Sequence, residues 1–131
     1  MGALLILPGH AQLREMMRVD ESFDGREVVL QVGETLEIRL AENASTGYRW
    51  SVPPKLKRKF DRTLREREQT VEGAGKPVGS PGVRNLYFEA IGTGTAELEL
   101  HYRRPWESDA PPARRFSRFR LRVRVRRAPD R

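Results

Sequence analysis

His10 and His101 are the two histidines of this chain, and no cysteine accompanies them. Thiolate metal sites, disulfides and a cysteine nucleophile are therefore excluded. His10 lies in an aperiodic stretch and His101 on the polar side of an alternating run. No spaced carboxylate cluster joins either, so the chain offers no metal site and no Ser/His/Asp arrangement. Gly73-Ala74-Gly75-Lys76-Pro77-Val78-Gly79 resembles a phosphate-cradling loop at a glance. Such a loop needs backbone N–H donors and a helix opening after Gly-Lys-Ser/Thr. Pro77 stands at the Ser/Thr position, has no N–H, and is followed by strand-forming residues. No catalytic residue, metal or cofactor is expected.

What remains is the chemistry of recognition. Tyr102-Arg103-Arg104-Pro105-Trp106 places an aromatic beside a guanidinium, behind a proline that fixes φ and stiffens the chain. Trp106 has no apolar neighbours in period, so it is read as exposed, and a rigid aromatic next to an arginine is what interface hot spots are made of. Trp50 alternates with Tyr48 and Val52 and is read as core. Arg118, Arg120, Arg122, Arg124 and Arg126 form a stripe along the last alternating run. The stripe lacks interleaved aromatics, and Glu97 and Glu99 of the preceding run would lie across from it in an antiparallel pair. It is therefore read as a charge-paired face, and no specific nucleic acid is expected. Asn43-Ala44-Ser45 matches a glycosylation sequon, which carries weight only in a eukaryotic secretory setting.

The elements that must position these residues are strands. From Arg26 onward the apolar residues alternate: Val28, Leu30 and Val32, then Leu36, Ile38 and Leu40 after a Gly33-Glu34 turn. Tyr48, Trp50 and Val52 follow a polar loop, and Pro53-Pro54 stops that run. Leu86, Phe88 and Ala90, then Ala96 to Tyr102, then Phe119 to Val125 complete the pattern. Residues 55–71 are ambiguous: Phe60 and Leu64 have helical spacing, but the apolar stripe is thin for a helix, and a strand is expected. Residues 72–83, with four glycines and two prolines, form a loop. The first 24 residues lack a period; a helical turn over 14–18 is conceivable, and the segment is read as an arm of uncertain order ahead of a domain over 25–128.

This pattern predicts an all-β fold, an immunoglobulin-like antiparallel β-sandwich of about seven to eight strands. Connections in a sandwich emerge at its two ends, and the loops at 42–47, 72–83 and 103–113 are expected to share one. The 131 residues suffice for one core, with a net charge of +7 and 21 arginines among 25 basic residues. No run approaches the ~20 apolar residues that span a bilayer, so no membrane insertion is expected. Ala3 to Leu7 is a short apolar run without a basic n-region, unlike a signal peptide. The expected compartment is the cytoplasm for the chain as written, or the periplasm or exterior if an export signal has been removed.

Three motifs, in order, resemble the chagasin-type inhibitors of papain-like cysteine peptidases. Asn43-Ala44-Ser45-Thr46-Gly47-Tyr48, with Trp50 two residues on, is similar to the family's NPTTGY/F loop. Gly79-Ser80-Pro81-Gly82 falls where the family has a GxGG loop ahead of a strand. Arg104-Pro105-Trp106 is the family's RPW loop. The resemblance spans about residues 26–126. It departs at Ala44 for Pro, Ser45 for Thr and Pro81 for Gly.

The resemblance implies a monomer whose three loops form a wedge that enters a peptidase's active-site cleft and blocks it without being cleaved. Thr46 and Gly47 would approach the catalytic cysteine of the partner. Gly79, Ser80, Pro81 and Gly82 would lie along the unprimed side, and Arg104, Pro105 and Trp106 on the primed side. The alternatives are an immunoglobulin-like module for some other protein, or a nucleic-acid-binding sandwich that uses the arginine stripe.

Overall fold

A computed structural model describes residues 16–73, 81–106 and 118–129. Nine strands are present among them: β1 (Met16–Val19), β2 (Arg26–Gln31), β3 (Thr35–Glu42), β4 (Arg49–Ser51), β5 (Leu64–Glu66), β6 (Thr70–Glu72), β7 (Gly82–Ala90), β8 (Gly94–Arg103) and β9 (Arg118–Arg126). They build two sheets. The first runs β1-β3-β7-β5, with β6 also on β7, and the second runs β2-β9-β8-β4.

Period-two alternation decides what is inside. Leu36 and Ile38 of β3 lie across from Phe88 and Leu86 of β7. On the second sheet Leu98 faces Leu121 and Leu100 faces Phe119. These side chains are buried and form one core between the sheets, as the strand pattern requires. The sandwich is as expected, but its sheets are mixed rather than wholly antiparallel. β1 runs parallel to β3, and β2 parallel to β9. The cause is the connections: both the turn at 20–25 and the turn at Gly33 (φ 99°) reverse the chain while carrying it to the other sheet. Two reversals return it in its original direction.

The segment upstream of residue 25, read as an arm, supplies a strand rather than a helical turn. Met16–Val19 pair with Thr35–Ile38, and Val19 is buried in the core. Asp20 then caps a short 3-10 turn by accepting hydrogen bonds from the Ser22 N–H (2.9 Å) and hydroxyl (2.6 Å). Residues 1–15 of the arm lie outside the described residues.

The ambiguous stretch splits. Pro54–Lys59 form a 3-10 helix, so the strand expected over 55–71 is confined to β5 and β6. Its basic side chains Lys55, Lys57, Arg58 and Lys59 stay exposed, which is why no apolar face forms. Phe60 and Leu64 are the two anchors, and Phe60 meets Phe88 edge-on with ring centroids 6.0 Å apart.

The expected charge pairing on the last two strands is present. Glu97 lies across from Arg122 and Glu99 from Arg120, with an Arg122–Glu97 ion pair of 2.8 Å. His101 is on the outer face, as alternation required, yet it is buried, with Nε2 2.7 Å from the Glu99 carboxylate.

Candidate functional site

The ends of five strands meet at one end of the sandwich. Glu42 at the end of β3 pairs with Gly82 at the start of β7, and Glu72 at the end of β6 pairs with Val83. Arg49 at the start of β4 pairs with Arg103 at the end of β8. The loop from Asn43 to Tyr48 and the chain leaving Glu72 and Arg103 therefore start from this same end. Gly79 and Ser80 lie outside the described residues. Gly82, expected in the middle loop, is the first residue of β7, and Pro81 precedes it. A Cβ on Gly82 would meet the Glu72 carbonyl oxygen at 2.8 Å, so the close strand approach there requires glycine.

The first loop winds on itself. Ala44–Thr46 form a 3-10 turn, and Gly47 follows at φ 81°. The Asn43 side-chain oxygen accepts from the Ser45 N–H (3.1 Å) and hydroxyl (2.7 Å). The Thr46 hydroxyl donates to the Asn43 carbonyl (2.8 Å) and accepts from the Tyr48 N–H (3.2 Å). Short polar side chains thus satisfy the backbone locally, the role for which Asn, Ser and Thr are selected in turns.

The first and third loops touch. Arg104 Nε donates to the Thr46 carbonyl at 3.2 Å. Its guanidinium lies 4.6 Å from the Tyr48 ring centroid and 6.0 Å from that of Trp106. The Trp106 ring covers Gly47 so closely that a Cβ there would come within 2.7 Å of its Cη2. Beneath them, Tyr48 packs on Tyr102 (5.3 Å) and Tyr102 stacks on Trp50 (5.0 Å). A column of rings and one guanidinium therefore runs from the core to the tip. Its two tryptophans differ as their sequence contexts required: Trp50 is 7% exposed and Trp106 is 71% exposed.

The column is footed by a buried ion pair that the sequence reading missed. Glu42 continues the inward register of Leu36, Ile38 and Leu40, and Arg84 continues that of Leu86 and Phe88. Glu42 accepts two hydrogen bonds of 2.7 Å from Arg84, in the bidentate arrangement that suits guanidinium and carboxylate. It also accepts from the Trp50 N–H at 3.0 Å, while Arg84 donates to Gln69 at 2.7 Å. One carboxylate thus ties β3, β4 and β7 together directly under two of the loops. Two further bonds hold the foot of the first loop: Trp50 Nε1 donates to the Ala41 carbonyl (2.9 Å), and the Asn43 N–H donates to the Tyr102 hydroxyl (3.2 Å). The available signal was a charged residue continuing an inward alternation at both strand ends.

The middle loop has its own anchor. Arg39 donates to Glu72 at 2.9 Å, and Asn85 donates to it at 2.8 Å. Arg39 first, and then Asn85, hold the Glu72 carboxyl below its ordinary range. Among the described residues no group of three His, Asp or Glu side chains is placed to hold a metal ion. Among the described residues the arrangement presents a largely pre-bonded edge with one large exposed aromatic, Trp106.

Comparison with known proteins identifies the family of the chain. Residues 29–119 match the family model described as chagasin family peptidase inhibitor I42. Chagasin of Trypanosoma cruzi is 27% identical over 105 residues, covering 76% of this chain and 92% of that protein. The cysteine protease inhibitor EhICP2 of Entamoeba histolytica superposes with a TM-score of 0.68 at 25% identity, over 85% of this chain and 96% of its own. Amebosin superposes with a TM-score of 0.63 at 29% identity, over 86% of this chain and 99% of its own. This chain belongs to the chagasin family of peptidase inhibitors.

Proposed function

We propose that this protein is a reversible inhibitor of papain-like cysteine peptidases and that it inserts the loop edge of its sandwich into the active-site cleft. The observation that carries the proposal is Trp106, 71% exposed yet held by Arg104 and by close packing on Gly47, in a chain of this family. Thr46 and Gly47 would face the catalytic cysteine. Arg104, Pro105 and Trp106 would contact the primed side. Pro81 and Gly82, with Gly79 and Ser80, would serve the unprimed side. A peptidase cleaves backbone presented in extended form. The 3-10 turn at Ala44–Thr46, bonded to its own side chains, does not present it, which accounts for blocking without cleavage. A loop already ordered in the free protein also loses little conformational entropy on binding. The test is titration of a panel of papain-like peptidases, followed by mass analysis of the recovered inhibitor. Inhibition with the chain intact is expected; no inhibition at micromolar concentration would refute the reading.

Two substitutions probe the first loop. Gly47→Ala puts a side chain into the left-handed region, which costs about 1–2 kcal/mol, and drives its Cβ into the Trp106 ring. Melting temperature should fall modestly and the inhibition constant should rise at least roughly tenfold, since 1.4 kcal/mol is one decade. An unchanged constant would remove Gly47 and the Trp106 pose from the site. Ala44→Pro acts in the other direction. Ala44 is the first residue of the 3-10 turn, where proline's fixed φ fits and its missing N–H has no partner within the turn. Stability should rise by about 0.4–1 kcal/mol through the unfolded chain, with inhibition a few-fold tighter. Paired melting curves and inhibition constants check this, and a large fall in both would withdraw the assignment of Thr46 and Gly47 to the cleft.

A further inference from the structure

Tyr102 continues the inward register of Leu98 and Leu100 along β8, where a phenyl ring would fill the same space. Its hydroxyl does something that packing does not require. Asn43 is the first residue beyond β3, whose last pair is Glu42 with Gly82, so its amide has left the ladder. A partly buried N–H without an acceptor is unfavourable. The Tyr102 hydroxyl supplies the acceptor, at 3.2 Å.

The other end of the loop rests on the same side chain. Tyr48, the last residue before β4, packs its ring on Tyr102 with centroids 5.3 Å apart. Trp50, across from Tyr102 in the β4–β8 pair, stacks on it at 5.0 Å. β3 and β8 belong to different sheets. One side chain of the second sheet therefore holds the loop where it leaves the first sheet and where it enters the second. The bonds that close the turn run between these two ends. The Asn43 carbonyl accepts from the Thr46 N–H (3.2 Å) and hydroxyl (2.8 Å), and the Tyr48 N–H donates to that hydroxyl (3.2 Å).

We propose that Tyr102 is a positioning residue of the inhibitor: acting through Asn43 and Tyr48, it holds the cleft loop in the turn that a peptidase cannot process. The inference rests on the inhibitor reading above. When Asn43 is released, the carbonyl that closes the turn moves with it, and the loop can reach the extended form in which substrates are bound. The partner's cysteine thiolate would then attack a loop carbonyl. The peptide nitrogen would take a proton from the enzyme and leave as a new amino terminus. One water would release the thioester as a carboxylate and restore the thiol. The Tyr102 hydroxyl thus separates an inhibitor from a slow substrate.

The test compares the full chain with Tyr102→Phe and Tyr87→Phe. The first keeps the ring and removes only the hydroxyl. The second is a control of the same kind in the middle of β7, where the Tyr87 hydroxyl donates to Glu37 at 2.8 Å. Against a papain-like peptidase that the parent inhibits, Tyr102→Phe should raise the inhibition constant roughly three- to tenfold, the effect of one hydrogen bond. On prolonged incubation, mass analysis should find it cut between residues 43 and 48 while the parent stays whole. Amide hydrogen exchange at Thr46 and Tyr48 in the free protein should quicken by a similar factor. Tyr87→Phe should inhibit as the parent does, stay uncut and leave those two amides unchanged, even where its melting temperature falls as far. Parental inhibition and exchange in Tyr102→Phe, or equal effects of the two variants, would overturn the positioning role. Weaker inhibition without any cutting would overturn the claim that the held turn is what prevents cleavage. If the parent inhibits no peptidase, the inhibitor reading falls, and unchanged exchange in Tyr102→Phe would overturn the positioning role separately.

Discussion

Trp106→Ala is expected to weaken inhibition by about 2 kcal/mol or more, roughly 30-fold, the usual loss for an aromatic anchor at an interface centre. The same change should leave the melting temperature almost where it was, because the side chain is 71% exposed in the free protein. Trp50→Ala should act in the opposite sense. Trp50 is 7% exposed, stacks on Tyr102 and bonds the Ala41 carbonyl. Removing it should destabilise the fold by about 3–5 kcal/mol. Any loss of inhibition should then follow the unfolded fraction. Urea unfolding and inhibition constants on both variants separate the roles; equal destabilisation by the two would mean that the column of rings is core from end to end.

Glu42→Ala is expected to be as damaging as the loss of Trp50. The Arg84–Glu42 pair is buried, with side-chain exposures of 12% and 3%, and deleting the carboxylate strands a guanidinium in the core. Breaking a buried pair from one side typically costs about 3–5 kcal/mol. The Trp50 N–H also loses its acceptor. The informative comparison is Glu42→Met/Arg84→Met. Apolar replacement of a whole buried pair is often neutral or stabilising, because the desolvation penalty of two charges disappears with them. The double variant should therefore recover at least about 2 kcal/mol relative to Glu42→Ala. It should still inhibit more weakly than the parent, since the carboxylate that joins β3, β4 and β7 under the loops is gone. A double-mutant cycle by urea unfolding measures the first expectation. Full inhibition by the refolded double variant would show that the pair serves stability alone.

The residues proposed to meet a partner were legible because they break local rules. Trp106 stands outside any apolar period and behind a proline. The Asn43–Tyr48 stretch is rich in turn formers yet lies between two alternating runs. Strands β2, β3, β7, β8 and β9 were equally plain, since period-two alternation over five or more residues is a local property of the chain. The five-arginine stripe and its facing acids followed from the same alternation. Where alternation was short, local reading failed: Met16–Val19 forms a strand because β3 offers it an open edge, and Pro54–Lys59 forms a 3-10 turn that Phe60 pins against Phe88.

Only the tertiary structure decided the parallel pairs, the Glu42–Arg84 foot and the rings above it. Each depends on where residues distant in sequence are brought by strand register: Glu42 and Arg84 meet because β3 and β7 are antiparallel and in one register, and Trp106 covers Gly47 because β4 begins beside the end of β8. A lone inward glutamate in a sequence reads as an unfavourable buried charge. It becomes a structural joint only when the other strand delivers an arginine at hydrogen-bond distance, because the desolvation of each charge is offset chiefly by the other, with the Trp50 N–H and the Gln69 side chain completing the hydrogen bonds.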